Sequence, residues 1–194
     1  MQFHSWIAWV VSITALAWSP VAMVQAQTVT FSDIRDAVPL RFFDAVTTKP
    51  DGNKLLIGFS TGFDAMTWTV NDFTASTAAF HHASAMDTIS FLIEAPPNFY
   101  IAKITYTQRG THAISRTGRV AGGVHWVVDG VPADLGLFQS DPSLSGTVNL
   151  AGQNKILVPV SITCGLFTFA PPLLGSATIA ITSAEVLVEL SSVP

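Results

Sequence analysis

The sequence predicts an all-β fold, a single antiparallel β-sandwich of jelly-roll type. Three observations predict it. After residue 26, apolar and polar residues alternate in short runs, as half-buried strands require. Turn-forming residues punctuate those runs, and helical periodicity is scarce. An α/β fold would need helices of about 10–15 residues between its strands, and the sequence offers none after residue 26.

Residues 1–26 read as an export signal. A mainly apolar run covers residues 6–18, Pro20 breaks it, and Val24, Gln25 and Ala26 place small residues where a signal peptidase reads. The run is too short for a membrane-spanning helix, which needs about 20 residues, and suits a cleavable signal cut after Ala26. The leading segment carries no Lys or Arg, only His4 and the terminal amine. The expectation is a secreted or periplasmic protein with a signal peptide at 1–26 and one β-sandwich domain at 27–194. That domain has 194 − 26 = 168 residues, a common size for one domain with its own core.

The elements follow in order. A short helix is expected at 32–37, with Ser32 as its cap and Asp33 and Asp36 in its first turn, and a weaker one at 74–85. Pro50, Asp51, Gly52 and Asn53 separate residues 42–48 from 54–59 as a hairpin turn, because Gly and Asn accept positive φ. Pro96, Pro97 and Asn98 separate strands at 89–94 and 100–107. Ala102, Ile104 and Tyr106 form one apolar face, and Val124, Trp126 and Val128 a second. Ile156, Val158, Val160 and Ile162 form a third. Residue pairs 122–123, 129–130, 141–142 and 151–152 read as turns. Near the C-terminus Ile179 and Ile181 hold one phase, while Val186, Val188 and Leu190 hold the other. A phase change of one residue needs a bulge or break, expected around Ser183 and Ala184. Glu185 and Glu189 stand on the opposite face, as a solvated strand face should.

Composition narrows the class. The chain is 49% apolar and 11% charged, so it can bury a core and is unlike a disordered chain. The longest later apolar stretch, 156–174, is interrupted by Pro159, Gly165, Pro171 and Pro172. No membrane span is expected once the signal is cleaved. Cys164 is the sole cysteine and sits in an apolar segment. A buried small hydrophobe is expected there, with an intermolecular bridge or reactive thiol as the alternative.

Charge is uneven. Between Glu94 and Asp129 there is no acidic residue, yet Lys103, Arg109, Arg116 and Arg119 fall there. That segment carries +4, and the other five basic and thirteen acidic residues leave −8 elsewhere, giving the net −4. Residues 107–123 read as the long polar end of a hairpin bearing Arg109, Arg116, Arg119 and His112. Arginine's planar fork suits carboxylate, sulfate or phosphate, so a cell-surface protein or an acidic glycan could dock there; the plainer reading is a solvated hairpin paired with the protein's own carboxylates. The acidic balance, with pI near 5.6, argues against nucleic acid.

Catalytic patterns are weak. Residues 58–62 match a Gly-x-Ser-x-Gly nucleophile elbow around Ser60. However, the residues that follow favour strand where that motif needs a helix. A triad would have to draw on Asp87 or Asp129 and on His112 or His125. His81, His82 and Asp87 cluster in sequence, but adjacent residues on a strand point to opposite faces, so no metal or other cofactor is expected. Asp129, Asp134 and Asp141 fall in one turn-rich stretch, without a full Ca²⁺ ligand pattern. Trp126 is expected in the core, whereas Trp68 lies between Thr67 and Thr69 and is a candidate sugar-stacking ring.

In strand spacing and Gly/Thr/Val-rich character the second half resembles the ectodomains of small bacterial surface proteins anchored by exosortase systems. The Pro-Glu-Pro motif, membrane helix and basic tail of that sorting signal are not in this sequence, so no membership is assigned. The functional expectation is a secreted or periplasmic, non-catalytic β-sandwich with a structural, adhesive or protein-binding role. A carbohydrate-binding module is the alternative, and a small serine hydrolase using Ser60 comes third.

Overall fold

A computed structural model describes residues 27–37, 48–58, 73–76, 82–133, 135–170 and 175–193. Among them run β1 (Thr30–Asp36), β2 (Lys49–Asp51), β3 (Lys54–Ile57), β4 (Phe73–Ser76), β5 (His82–Glu94) and β6 (Phe99–Arg116). Then come β7 (Arg119–Val128), β8 (Val131–Pro132), β9 (Gly136–Phe138), β10 (Leu144–Asn149), β11 (Leu157–Phe169) and β12 (Gly175–Ser192). Two antiparallel sheets result. Sheet A has the order β1-β5-β11-β7-β8, with β9 also on β7. Sheet C has the order β10-β6-β12-β3-β2, with β4 also on β12. Consecutive strands change sheet at β1 to β2, β4 to β5, β5 to β6, β6 to β7, β9 to β10, β10 to β11 and β11 to β12, which is the wrapping of a jelly roll. The all-β sandwich read from the sequence is the observed architecture.

Period-two patterning explains which side of each strand is inside. On β11, Val158, Val160, Ile162, Cys164 and Leu166 are buried, and on β7 Val120, Val124, Trp126 and Val128. Sheet C answers with Leu55, Ile101, Ile104, Tyr106, Ile179, Ile181, Val186 and Val188. Each such Val, Leu or Ile side chain contributes about 1.5–3 kcal/mol by leaving water. Tyr106 and Trp126 meet between the layers, with ring centroids 6.2 Å apart. The Tyr106 hydroxyl donates to Gln108 Oε1 at 2.8 Å, and Gln108 Nε2 donates to the Pro142 carbonyl at 2.6 Å. Burial, with Cys164 nearby, pushes the Tyr106 phenol well above its usual pKa. Cys164 is buried, and burial pushes its thiol up to about 12.

The C-terminal phase change is a bulge at Thr182, between the pairs Ile181↔Gly110 and Ser183↔Arg109. It lies one residue from the expected place. A second register shift sets Lys103 opposite Glu189 and Ile101 opposite Leu190. Ala102 is thereby the extra residue, and Ile101 takes the core position that simple alternation gave to Ala102. The hairpin at Gly52 and Asn53 forms between β2 and β3, with Gly52 at φ +59. Asp129 and Gly130 link β7 to β8 with φ 53 and φ 76, the two left-handed positions of a type I′ turn.

Several expectations are corrected. Residues 32–36 belong to strand β1, bent at Asp33 (φ 50), and pair with β5. So short a segment gains too few helical bonds to offset nucleation, whereas the edge of β5 offers a ready ladder. The segment 74–85 holds β4 and the start of β5, in keeping with its Thr and Ser content. Gly122 and Gly123 are no turn but lie inside β7, opposite Leu166 and Gly165. Residues 107–123 form no hairpin either, because β6 and β7 belong to different sheets. Ile156 is exposed, since β11 begins one residue later.

Candidate functional site

The outer face of sheet A, turned away from the core, carries the most suggestive surface of the described residues. Residues paired across antiparallel strands share a face, so the ladder gives the rows directly. Ser90, Ser161 and Val127 form one row, and Thr88, Thr163 and His125 the next. Met86, Gly165, Gly123 and Leu137 form a third, followed by Ser84, Phe167 and Ala121. Phe169 and Arg119 pair at the end. From Ser161 to Phe169 the face runs eight residues along β11, about 27 Å at strand rise.

The two ends differ in chemistry. At one end lies an open groove of about 460 Å³, lined among others by Asp33, Arg35, Ser90, Leu92, Pro159 and Ser161. Arg35 reaches Asp33 at 3.6 Å, both well exposed. In the middle the Thr88 and Thr163 hydroxyls share a hydrogen bond of 2.7 Å. The far end is apolar and open: Leu137 is 91% exposed, Met86 65%, Phe167 44% and Phe169 40%. Phe167 and Phe169 stand two residues apart on one face, so their rings can be covered by one extended ligand. Glycine keeps the floor low. A Cβ on Gly165 would project into open space, while one on Gly123 would meet Leu137 Cδ2 at 2.7 Å.

The sequence-derived candidates scatter. Arg119 belongs to this outer face beside Phe169. Arg109 pairs with Ser183, on the outer face of sheet C. His112 pairs with Ile179 and Arg116 with Gly175, at the rim where β6 outruns β10. Arg109 and Arg119 thus stand on the outer faces of different sheets, while Arg116 and Arg119 flank the two-residue link of Thr117 and Gly118. Trp68, Ser60, His81 and Asp134 lie outside the described residues.

The acids and histidines considered for catalysis or metal binding are also apart. Asp87 is buried on the core side and accepts the Thr88 N–H at 2.7 Å. His125 is exposed on the opposite side of the same sheet. Asp129 pairs with Lys155 at 2.6 Å. Asp141 accepts the Ser143 N–H at 2.8 Å. The Ser143 hydrogen bonds, more than nearby His112, hold its carboxyl below the usual value. Among the described residues no group of three or more His, Cys, Asp or Glu is set to hold a metal ion. No described helix is long and apolar enough to cross a membrane.

The sequence reading missed Met86, Leu137, Phe167 and Phe169. The signal was present for two of them. Extending the phase of Val158, Val160 and Ile162 along β11 turns Phe167 and Phe169 outward. Leu137 gave none, because its exposure depends on β9 folding back over Gly123.

No family model and no curated protein matches this chain. Among solved structures it is similar to TmCBM61 in complex with β-1,4-galactotriose, with 10% identity, a TM-score of 0.30, and cover of 83% of this chain and 87% of that one. It is also similar to the GH31 α-xylosidase from Xanthomonas citri, with 11% identity, a TM-score of 0.23, and cover of 55% of this chain and 12% of that one. At those values neither assigns a ligand to this chain.

Proposed function

We propose that this chain is an exported, non-catalytic binding module that takes a carbohydrate chain along the outer face of sheet A. The observation that carries the reading is one continuous face with hydroxyl rows (Ser90, Ser161, Thr88, Thr163) leading to the exposed rings of Phe167 and Phe169. Sugars need both kinds of group. Their hydroxyls exchange hydrogen bonds with side chains, and the C–H face of a pyranose packs on an aromatic ring. Binding sites of this kind join an apolar surface to a few polar groups that fix orientation. Arg119 beside Phe169 favours a sugar bearing carboxylate or sulfate at that end.

The test is a glycan array followed by calorimetry on the retained polysaccharide. Phe167→Ala and Phe169→Ala remove exposed rings and leave the fold intact, so lost binding with unchanged melting supports the reading. An array with no retained glycan, or variants that bind like the parent, refutes it. Trp68→Ala tests the ring proposed from the sequence. Export is tested separately by sequencing the native N-terminus, where a start at Gln27 supports cleavage and retention of Met1 excludes it.

The exposure of Leu137 and Met86 favours a second reading, a structural or adhesive module whose partner is a protein. Leu137→Ser with Met86→Ser would then abolish partner retention while the glycan array stays blank.

A further inference from the structure

We infer that the exposed edge of β6 from Thr111 to Arg116 is an acceptor site for an extended acidic peptide, which adds to sheet C as a new strand. This surface is distinct from the outer face of sheet A and does not depend on the carbohydrate reading. The first observation is topological. β10 pairs with β6 only from Lys103 to Gln108, whereas β12 pairs with β6 as far as Arg116. Beyond Gln108, β6 is therefore laddered on one side only among the described residues, and residues 111–116 are all exposed.

The backbone geometry says which groups are available. The Gly110 N–H points away from β12 and reaches Ser143 Oγ at 3.3 Å. The Thr182 hydroxyl meets the Arg109 carbonyl on the β12 side. Successive residues alternate direction in an antiparallel ladder, so His112 and Ile114 turn their N–H and C=O groups toward the side that β10 has left. Such a row is a template for strand addition unless it is covered.

Charge selects the occupant. Arg109 and Arg116 flank this edge, and no acidic residue lies in sequence between Glu94 and Asp129. Asp141, from the loop before β10, interacts with His112 and its carboxylate is kept ionised by Ser143, so one negative charge stands against the two arginines and the balance stays positive. A second copy of β6 would bring its own Arg109 and Arg116 to a strand spacing of about 4.8 Å, where like charges repel. An acidic strand gains attraction instead, together with the main-chain hydrogen bonds.

The experiment is fluorescence anisotropy of the full chain with a labelled peptide of alternating Glu and Val, long enough to span residues 111–116. Two control peptides accompany it: one alternates Lys and Val, and one replaces each Val of the acidic peptide by Pro. The acidic peptide should bind, weaken with added salt as screening requires, and outcompete both controls. Ile114→Pro removes an N–H that faces the open side, where an edge strand tolerates proline, and should weaken binding about tenfold, the loss of roughly one good hydrogen bond. Should that variant fail to fold, Arg109→Gln with Arg116→Gln must weaken binding in its place. Equal binding of the Pro-containing acidic peptide overturns the inference, because attraction would then need no ladder. Absence of binding, or a dimer that forms through this edge in sedimentation, overturns it as well.

Discussion

Three glycines in sheet A should respond to the same substitution in different ways, and the reason is geometric. At Gly122 an added Cβ would lie 2.5 Å from the Gly165 carbonyl oxygen and 2.5 Å from Phe138 Cζ. One obstacle is backbone, so the strand itself must shift, and overpacking of this kind costs about 1–3 kcal/mol. At Gly165 nothing lies within 4 Å of the new carbon. Alanine there stabilises by about 0.4–1 kcal/mol, because it narrows the unfolded ensemble. Gly123 is intermediate, since its first obstacle is Leu137 Cδ2 at 2.7 Å, the end of a side chain that is free to swing outward. Urea unfolding of the three alanine variants should therefore rank Gly165→Ala above Gly123→Ala above Gly122→Ala, with m unchanged. For a domain of this size each kcal/mol moves the melting temperature by about 2–4 °C, so the two extremes separate cleanly. A Gly122→Ala protein as stable as the parent, or a Gly165→Ala protein weakened to the same degree, would refute the reasoning and with it the position of β9 on β7.

The core makes further commitments. Cys164 should stay unlabelled by thiol reagents at pH 8 and react fully in denaturant, because it is buried and its pKa is pushed up to about 12; fast labelling of native protein would contradict this. Tyr106→Phe strands the buried Gln108 Oε1 and should cost about 1–3 kcal/mol, read as a lower urea midpoint at constant m. An unchanged midpoint would mean that water satisfies that oxygen already.

Much of the fold was legible because alternation is a local signal. Val124, Trp126 and Val128 are inside as their phase required, and the break near Ser183 appeared one residue away, at Thr182. Turns with a φ requirement were also readable, as Gly52, Asp129 and Gly130 demonstrate. Long-range geometry was not legible. Gly122 and Gly123 resemble a turn until β9 is seen to cross them, and Ala102 resembles a core residue until the bulge opposite Glu189 shifts the register. The arginines read as one cluster because they are close in sequence, but a strand reverses facing at each step and the chain changes sheets after Arg116. The candidate binding face was half written in the phase of β11 and half in a fold-back that no local pattern encodes.

That separation has a consequence for how the two proposed surfaces behave together. Phe167, Phe169 and Arg119 belong to sheet A, while Gly110, His112 and Ile114 belong to sheet C. Sites with no shared residue or partner respond additively to substitution. Phe169→Ala should therefore abolish glycan retention and leave peptide capture at the β6 edge intact, and Ile114→Pro should do the reverse. Under the two proposals the sandwich would hold a polysaccharide on one sheet and a protein segment on the rim of the other. Reciprocal loss of both activities in either variant would point instead to one shared surface near Thr117 and Gly118, where the chain passes from β6 to β7.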